Sequence, residues 1–483
     1  MVPRCELAPG FSISRVLTGL WQIADMERDG RTVDLEAAAA AMVPYVEAGF
    51  TTFDMADHYG SAEEVAGRFL RRYGAGYNVQ MLTKWVPKPG PVRREEVRAA
   101  VQRSLDRLQM DRLDLLQFHT WNYADPSWLD CLFWLQELKE EGLIRHLGLT
   151  NFDTAHLRVV LHSGIEVVSN QVSFSLLDPR ARNGLIPLCL EHGIQLLAYG
   201  TVAGGFLTER WLGRPEPDWD ALETWSQMKY RRFIDAAGGW EPFQRLLRAV
   251  DEVARRHGVS MANVASRAIL EQPAVGGVII GARLSQSEHI QDNLRLFQFS
   301  LDEDSHRILE SAQAGLQPIP GDCGDEYRKP PFLTASGDLS HHLDTVPPPY
   351  PVQPGTDGRN RVQSGTVWEE MAGFCRAVRY GNHIFVSGTT ATHRDRVIGG
   401  TDAAAQLHFV IDKIEGALRS LGGCLEDVVR TRIYVRDVTD WEAVARAHGM
   451  RFRQIRPANT LVQAQLVGDE YLVEMEAEAV VRE

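Results

Sequence analysis

In the stretch FTTFDMADHYGSAEEV an aspartate, Asp54, closes an apolar run, and a tyrosine, Tyr59, follows five residues later at the mouth of a helix-like segment. Both are expensive to place beside a core unless something uses them. Two more ionisable residues end apolar runs further on: Lys84 in QMLTK and His119 in LLQFH. A carboxylate, a phenol, an amine and an imidazole suit hydride transfer to a carbonyl. Hydride addition leaves an alkoxide that needs a proton, and a phenol with an ordinary pKa of about 10 gives one up poorly near neutrality. An adjacent ammonium lowers that pKa, and a carboxylate holds the ammonium in place. In this reading Tyr59 is the acid, Lys84 the perturbing cation, Asp54 its partner, and His119 a neutral imidazole that orients the carbonyl oxygen. Taken singly, each could equally be a cap or a surface ion pair.

Four such residues matter only if the chain brings them to one place. Eight short β-prone runs punctuate the first 315 residues: 16–23, 51–55, 80–84, 115–119, 146–150, 167–172, 195–199 and 277–281. Helix-like segments separate them, several ending in Gly. In SAEE, Ser61 and Glu64 fit a capping box. Strand alternating with helix implies a parallel sheet, and eight units in this length is the count of a (β/α)8 barrel. An open doubly wound sheet is the alternative, but no GxGxxG opens its first βα unit. In a barrel, function gathers where strands end, and all four residues stand there.

The motifs GLWQ, FDMADHYG, TKW, QFHTW, LGLTNF, SNQVSFSLLD, LLAYGTVAGGFL and GVIIGAR, in this order, resemble the aldo-keto reductases over roughly residues 10 to 315. The resemblance implies that Asp54, Tyr59, Lys84 and His119 are that family's catalytic tetrad and that NADP, or else NAD, is the cofactor. It places Ser169, Asn170 and Gln171 at the nicotinamide carboxamide and Tyr199 against the nicotinamide ring, with Gly200 and Gly281 also at the cofactor. For Tyr199, packing of the barrel rim is a rival role. Arg283, His289, Asp292 and Asn293 align with residues around the adenosine phosphate; Arg283 offers a planar fork for a 2′-phosphate, and His289 departs from the Arg or Gln common there. Trp21, Trp85 and Trp121 follow strands one, three and four and are candidates for the substrate pocket. In the long stretch after Tyr199, Trp211, Trp219, Trp225 and Tyr230 could wall the pocket or simply pack the loop.

Residues 316–365 are rich in Pro, Gly, Asp and Ser, and read as an irregular tail and linker. Behind it, 366–483 reads β-β-α-β-α-β-β, a smaller α+β domain. FVSG, AAAQ…IEGAL, EDVV…IYV and RPANTLV…LVEMEAEAV resemble the reactive intermediate deaminase (RidA, or YjgF) family, which has a chorismate-mutase-like fold and forms trimers with pockets between subunits. Asn459 stands where that family has a carboxylate-binding arginine, which argues against imine hydrolysis, whereas Glu474 matches its acidic position. The alternation in LVEMEAEAV places its glutamates together on one face.

The whole chain has 483 residues, 44% hydrophobic and 24% charged, with a net charge of −13. That balance argues against a general nucleic-acid binder, and no run is long enough to span a bilayer. The start lacks a signal-peptide pattern. Six scattered cysteines without a CxxC pair predict neither a disulfide framework nor a metal site and fit a cytoplasmic setting. The expected activity is an NADP-dependent interconversion of a carbonyl (aldehyde, ketone or sugar) and an alcohol, with the rear domain organising a homo-oligomer, possibly a trimer, or binding a ligand. The alternatives are a nicotinamide-binding scaffold or sensor, and a bifunctional imine or enamine deaminase plus carbonyl reductase.

Overall fold

The chain starts with an antiparallel hairpin, β1 (Arg4–Ala8) and β2 (Phe11–Ser14), in a computed structural model that describes residues 2–27, 30–286, 289–334 and 347–482. Eight parallel strands follow: β3 (Val16–Gly19), β4 (Thr52–Asp54), β5 (Gln80–Trp85), β6 (Leu113–Phe118), β7 (Ile144–Thr150), β8 (Val167–Ser173), β9 (Gln195–Tyr199) and β10 (Val275–Gly281). β10 pairs with both β9 and β3, so the sheet closes into a barrel. All eight predicted runs overlap these strands, although the first, 16–23, runs on into the helix Trp21–Met26, and the open-sheet alternative is excluded. The strands are buried on both faces, as a barrel with an outer ring of helices requires; every residue of β3, β4 and β5 is buried. Leu7, Phe11 and Ile13 of the hairpin pack against Leu17, Leu82, Leu115 and Leu197 and close the barrel at the end away from the site.

The pairing register sets the site. Gly19 lies opposite Asp54 and Asp54 opposite Leu82; Lys84 faces Gln117, Thr150 faces Gln171, and Ser173 faces Tyr199. The strands thus end at a common level, which brings residues far apart in sequence to one mouth.

Ser61 does begin the helix Ala62–Tyr73, but without the expected capping box. Its side chain makes no cap bond; instead its hydroxyl and backbone N–H both donate to the Glu27 carboxylate. A tertiary acceptor has replaced the local one.

The stretch expected to be irregular tail and linker carries defined structure. Residues 325–328 form a helical turn at the barrel mouth. β11 (Val352–Pro354) and β12 (Arg359–Val362) join the rear sheet with β13 (Ala377–Tyr380), β14 (His383–Thr390), β17 (Val428–Val435), β18 (Ala458–Gln463) and β19 (Val473–Val480), while β15 (Thr392–His393) and β16 (Arg396–Val397) form a separate small hairpin. The sheet order is β11-β12-β13-β14-β19-β17-β18. The Pro-bearing strand β11 takes an edge, the position that tolerates a missing N–H. Along β19 buried and half-exposed residues alternate, which puts Glu474, Glu476 and Glu478 on one face.

The helix Ala403–Ser420 is buried at nearly every position, more than one sheet can cover. It packs on β14 and β19 on one side and on the barrel helix Thr154–Leu161 on the other. Across that boundary Arg158 grips Asp402 with two N–H groups, and His156 meets Asp412 at 3.0 Å.

Candidate active site

β4 ends at Asp54 and β5 carries Lys84, so the two meet inside the barrel. Lys84 Nζ donates to Asp54 Oδ2 at 2.6 Å and to the Met55 carbonyl at 2.8 Å. The other carboxylate oxygen of Asp54 accepts from Gln117 Nε2 and Gln171 Nε2 at 3.0 and 2.8 Å. The carboxylate is saturated and the ammonium is fixed, which is how a buried ion pair repays its desolvation. Burial pushes the Lys84 pKa down even against the pull of Asp54. Lys84 Nζ lies 4.8 Å from the centre of the Tyr59 ring, which Trp21 and His58 meet edge-on.

His119 follows β6. Its Nδ1 lies 3.1 Å from the Thr150 carbonyl, which can only accept, so Nδ1 carries the proton. Nε2 is buried with no hydrogen-bond partner among the described residues. Burial, followed by the Arg328 charge, holds the ring well below the ordinary imidazole range. A neutral ring protonated on Nδ1 presents Nε2 as an acceptor. In this tautomer it can accept a hydrogen bond from a hydroxyl.

Asp54, Tyr59, Lys84 and His119 all line one open cavity. Trp21, Trp121, Gln171, Tyr199, Gly200 and Gly281 line it too. Other expected residues do not. Ser169 lies under Gly148, where a Cβ would meet its hydroxyl at 2.6 Å, and Asn170 is locked to the backbone of Phe152 through both its amide oxygen and nitrogen. Alternation along β8 turns Ser169 and Gln171 to the same inward face and Asn170 away from it; of the two inward residues, only Gln171 lines the cavity. Trp85 packs on Phe118 beneath the cavity. Arg283 pairs with Asp25 at 3.2 Å, and the Asp292 carboxylate is taken by Ser260 and Asn263; with His289 and Asn293, they lie outside the cavity wall. Of the four lid aromatics, Trp225 and Tyr230 line the cavity, Trp211 packs on Phe206 and Trp240, and Trp219 is largely exposed.

Several cavity residues escaped the sequence reading. Thr150 and Asn151 lie at the end of β7, in the quoted motif LGLTNF, whose strand-end position was the available signal. Gln22 and Lys229 also line the wall. Tyr327 comes from the presumed irregular tail and meets His119 and Trp121 edge-on, at 5.4 and 5.8 Å. Next to it Arg328 donates to the carbonyls of Thr120 and Asn151, tying the tail to the loops after β6 and β7.

A nicotinamide fits this wall. Thr150 Oγ1 and Gln22 Oε1 are buried at the cavity without hydrogen-bond partners, which a carboxamide could supply. Gly200, at φ +72°, leaves no room for a Cβ, which would meet the Tyr230 hydroxyl at 1.7 Å. The chain comes close to the cavity there because the position is glycine.

The family profile described as "Aldo/keto reductase family" matches residues 15–314. The chain belongs to the aldo/keto reductase family. Members of that family bind a nicotinamide dinucleotide and act as carbonyl oxidoreductases, and this aldo/keto reductase is an oxidoreductase of that class. It is 28% identical over 330 residues to Protein tas of Escherichia coli, covering 59% of this chain and 92% of that one. It resembles in fold the glycerol dehydrogenase of Gluconobacter oxydans, with a TM-score of 0.55 at 22% identity over 66% of this chain and 97% of that one. Behind the barrel, the profile "Endoribonuclease L-PSP" matches residues 367–481. There the chain is 39% identical over 120 residues to the uncharacterized protein SCO2049 of Streptomyces coelicolor, covering 25% of this chain and 90% of that one. The rear segment of this aldo/keto reductase is a RidA-like (YjgF-like) domain. Within one chain its two singled-out residues do not share a pocket: Asn459 lies opposite Thr431 and donates to it, while Glu474 lies opposite Tyr434 and against Gly388.

Proposed function

We propose that the chain is an NADP-dependent oxidoreductase that interconverts an aldehyde, ketone or sugar carbonyl with its alcohol, using Asp54, Tyr59, Lys84 and His119. The observation that carries this reading is a fixed Lys84–Asp54 pair beside Tyr59, facing one cavity with the bare Nε2 of His119. A bound nicotinamide supplies or takes up the hydride there. Tyr59 gives its proton to the oxygen of the developing alkoxide, and the Lys84 charge lowers the cost of the phenolate left behind. Asp54, held by Gln117 and Gln171, keeps Lys84 from drifting. His119 holds the hydroxyl of the alcohol by accepting a hydrogen bond from it at Nε2. Thr150, Asn151 and Gln171 are our candidates for the carboxamide, and Tyr199 for the ring face.

The choice of NADP over NAD rests on Arg283, a guanidinium just past β10 whose side chain is 40% exposed and which pairs with Asp25 through one nitrogen. For the RidA-like domain we propose a trimerising or ligand-binding role. Its sheet leaves Tyr380, Phe385 and Val462 exposed, as a subunit interface would use them. We divide the chain at 1–315, 316–365 and 366–483, with the middle stretch lending the turn 325–328 to the barrel mouth and β11 and β12 to the rear sheet.

The test is titration of the full chain with NADPH and NADH by fluorescence, followed by a panel of aldehydes, ketones and sugars. Tight NADPH binding with turnover of some carbonyl is the expected result. Tight binding with no turnover across the panel overturns the enzymatic reading in favour of a sensor.

A further inference from the structure

Arg328 closes the tail turn Asp325–Arg328, past the end of the family profile at residue 314, yet it is buried against the site. Its Nε donates to the Thr120 carbonyl at 3.0 Å and its Nη1 to the Asn151 carbonyl at 2.7 Å. Thr120 follows His119 in the chain. Asn151 follows Thr150, whose carbonyl receives the His119 Nδ1 proton at 3.1 Å. One planar fork therefore bridges the residues next to both partners of the hydrogen bond that sets the tautomer. The ladder between β6 and β7 ends at the Phe118–Leu149 pair, so the fork acts as a further rung where strand pairing has stopped. The fork is itself held. Nη1 also donates to the Gly324 carbonyl at 3.1 Å, and the guanidinium lies 4.3 Å from the centre of the Tyr123 ring, a cation–π distance. His156 stacks on that ring at 3.4 Å and meets Asp412 of the RidA-like domain at 3.0 Å. After burial, the Arg328 charge does most to keep the His119 ring below its ordinary range, ahead of His58 and Lys229. Asp54, Tyr59, Lys84, Tyr199 and Tyr327 face the same cavity.

We propose that Arg328 is a positioning residue for His119: by bridging Thr120 and Asn151 it keeps the His119–Thr150 hydrogen bond closed and leaves Nε2 facing the cavity. Without the bridge, the loops after β6 and β7 can part, and the ring is free to take the other tautomer, in which Nε2 donates instead of accepting. The same guanidinium makes a second proton on the ring costly, so one contact fixes both the orientation of the imidazole and its state of protonation. The acceptors of Arg328 are carbonyls, which hold the fork without cancelling its charge. Arg328 touches neither substrate nor cofactor in this assignment. The assignment rests on the oxidoreductase reading only for its effect on turnover, not for its effect on His119.

The full-length protein, isotope-labelled in its histidine rings, is followed by proton–nitrogen NMR from about pH 8 to about pH 4, a range that spans ordinary imidazole titration. His119→Asn and His146→Asn assign two of the rings, and His146, stacked on Phe11 at the closed end of the barrel, reports whether the fold is kept. The unaltered protein is expected to show His119 in one neutral tautomer, protonated on Nδ1. Arg328→Met is expected to show mixed tautomers and a ring that takes up its second proton about tenfold more readily or better, the scale of one nearby charge. Arg328→Lys keeps the charge and should return the titration to its original range, which a merely structural loss would not do. A single Nδ1–H tautomer with the parent titration in Arg328→Met overturns the proposal, and so does an Arg328→Lys that titrates like Arg328→Met. If a shifted His146 signal shows that Arg328→Met has lost its fold, Arg328→Gln decides in its place, since it keeps N–H donors and loses the charge: a raised titration supports the proposal and the parent titration overturns it. The pH profile of alcohol oxidation with NADP separates the two readings. There kcat/KM falls on the acid side as His119 is protonated, and that limb moves up in pH in Arg328→Met. Altered His119 signals with no alcohol turned over keep the Arg328 assignment and remove the oxidoreductase reading; turnover with unmoved signals removes the assignment alone.

Discussion

Tyr59 is the residue on which the proposed chemistry turns, because it is the one acid of the group placed to deliver a proton to the cavity. Replacing it with Phe keeps the ring that Trp21 and His58 pack against. Tyr59→Phe is expected to lower kcat by about a hundredfold or more, the contribution of a positioned general acid. NADPH affinity, read by fluorescence titration, should stay within a few-fold of the unaltered value. A variant with full carbonyl reduction would sink the proton-delivery role. His119 makes a prediction about pH. Its folded pKa lies well below the ordinary 6.5, chiefly through burial, so an unfolded chain takes up this proton first. The stability that His119 contributes is therefore present above about pH 6.5 and is lost as pH falls below it. His146, pushed down to about 4 by burial, and His408, pushed down to about 3, act in the same sense. Urea midpoints measured from pH 7 down to pH 4 should fall, and His119→Asn should fall less steeply. A variant as acid-sensitive as the parent would remove His119 from this account.

At the scale of elements, the tail turn Asp325–Arg328 decides whether the cavity has a complete wall. It reaches the barrel by close approach at Gly324, whose φ is +85° and where a Cβ would lie 2.0 Å from the Asn151 carbonyl. Gly324→Ala combines a backbone penalty with that clash, and should lower stability by about 1–3 kcal/mol. It should also raise KM for the carbonyl substrate, since Tyr327 is displaced from His119 and Trp121. Thermal unfolding and steady-state kinetics check the two effects. A variant that loses stability with an unchanged KM would show that the turn is a strap and not a wall. Low complexity hid this element from sequence reading. A four-residue helical turn has no periodicity to detect, and its fold comes from contacts to loops hundreds of residues earlier, such as Arg328 on Thr120 and Asn151.

For the molecule as a whole, a buried charge cluster holds the RidA-like domain to the barrel. His156 lies between two carboxylates, Asp153 at 2.6 Å on Nδ1 and Asp412 at 3.0 Å on Nε2, and stacks on Tyr123 at 3.4 Å. Asp412 also receives Arg451 at 2.8 Å. Burial alone would depress the His156 imidazole, but the Asp153 and Asp412 charges outweigh it and raise its pKa. The sign is opposite to that of His119. This contribution is fully present below pH 6.5 and is lost as pH rises through the raised folded pKa. His156→Ala leaves two buried carboxylates short of a partner, and should cost about 3–5 kcal/mol in urea unfolding. In the unaltered protein, stability should decline on the alkaline side, and the variant should lose that limb. An unchanged urea midpoint in His156→Ala would mean that His156 does not help to hold the two domains together.

The sequence by itself determined the barrel, the rear α+β domain and the four residues at the strand ends. Each followed from a local rule: short apolar β-prone runs alternating with helices, glycine stops, and polar residues that close buried strands. Asp54, Lys84 and His119 were legible because a strand end is a position in the chain. Which neighbour turns inward is not. On β8, Ser169 and Gln171 share the inward face but only Gln171 lines the cavity, while Asn170 turns out to Phe152, and on β5 Lys84 meets Asp54 while Trp85 packs on Phe118. Those outcomes depend on register and barrel closure, which bring strands together across long stretches of chain. The tautomer of His119 needed the Thr150 carbonyl, thirty-one residues on. Lys229, Tyr327 and the His156–Asp412 contact needed the lid, the tail and the second domain folded against the barrel. Only the tertiary structure fixes these, because each pairs groups whose separation in sequence carries no local signal.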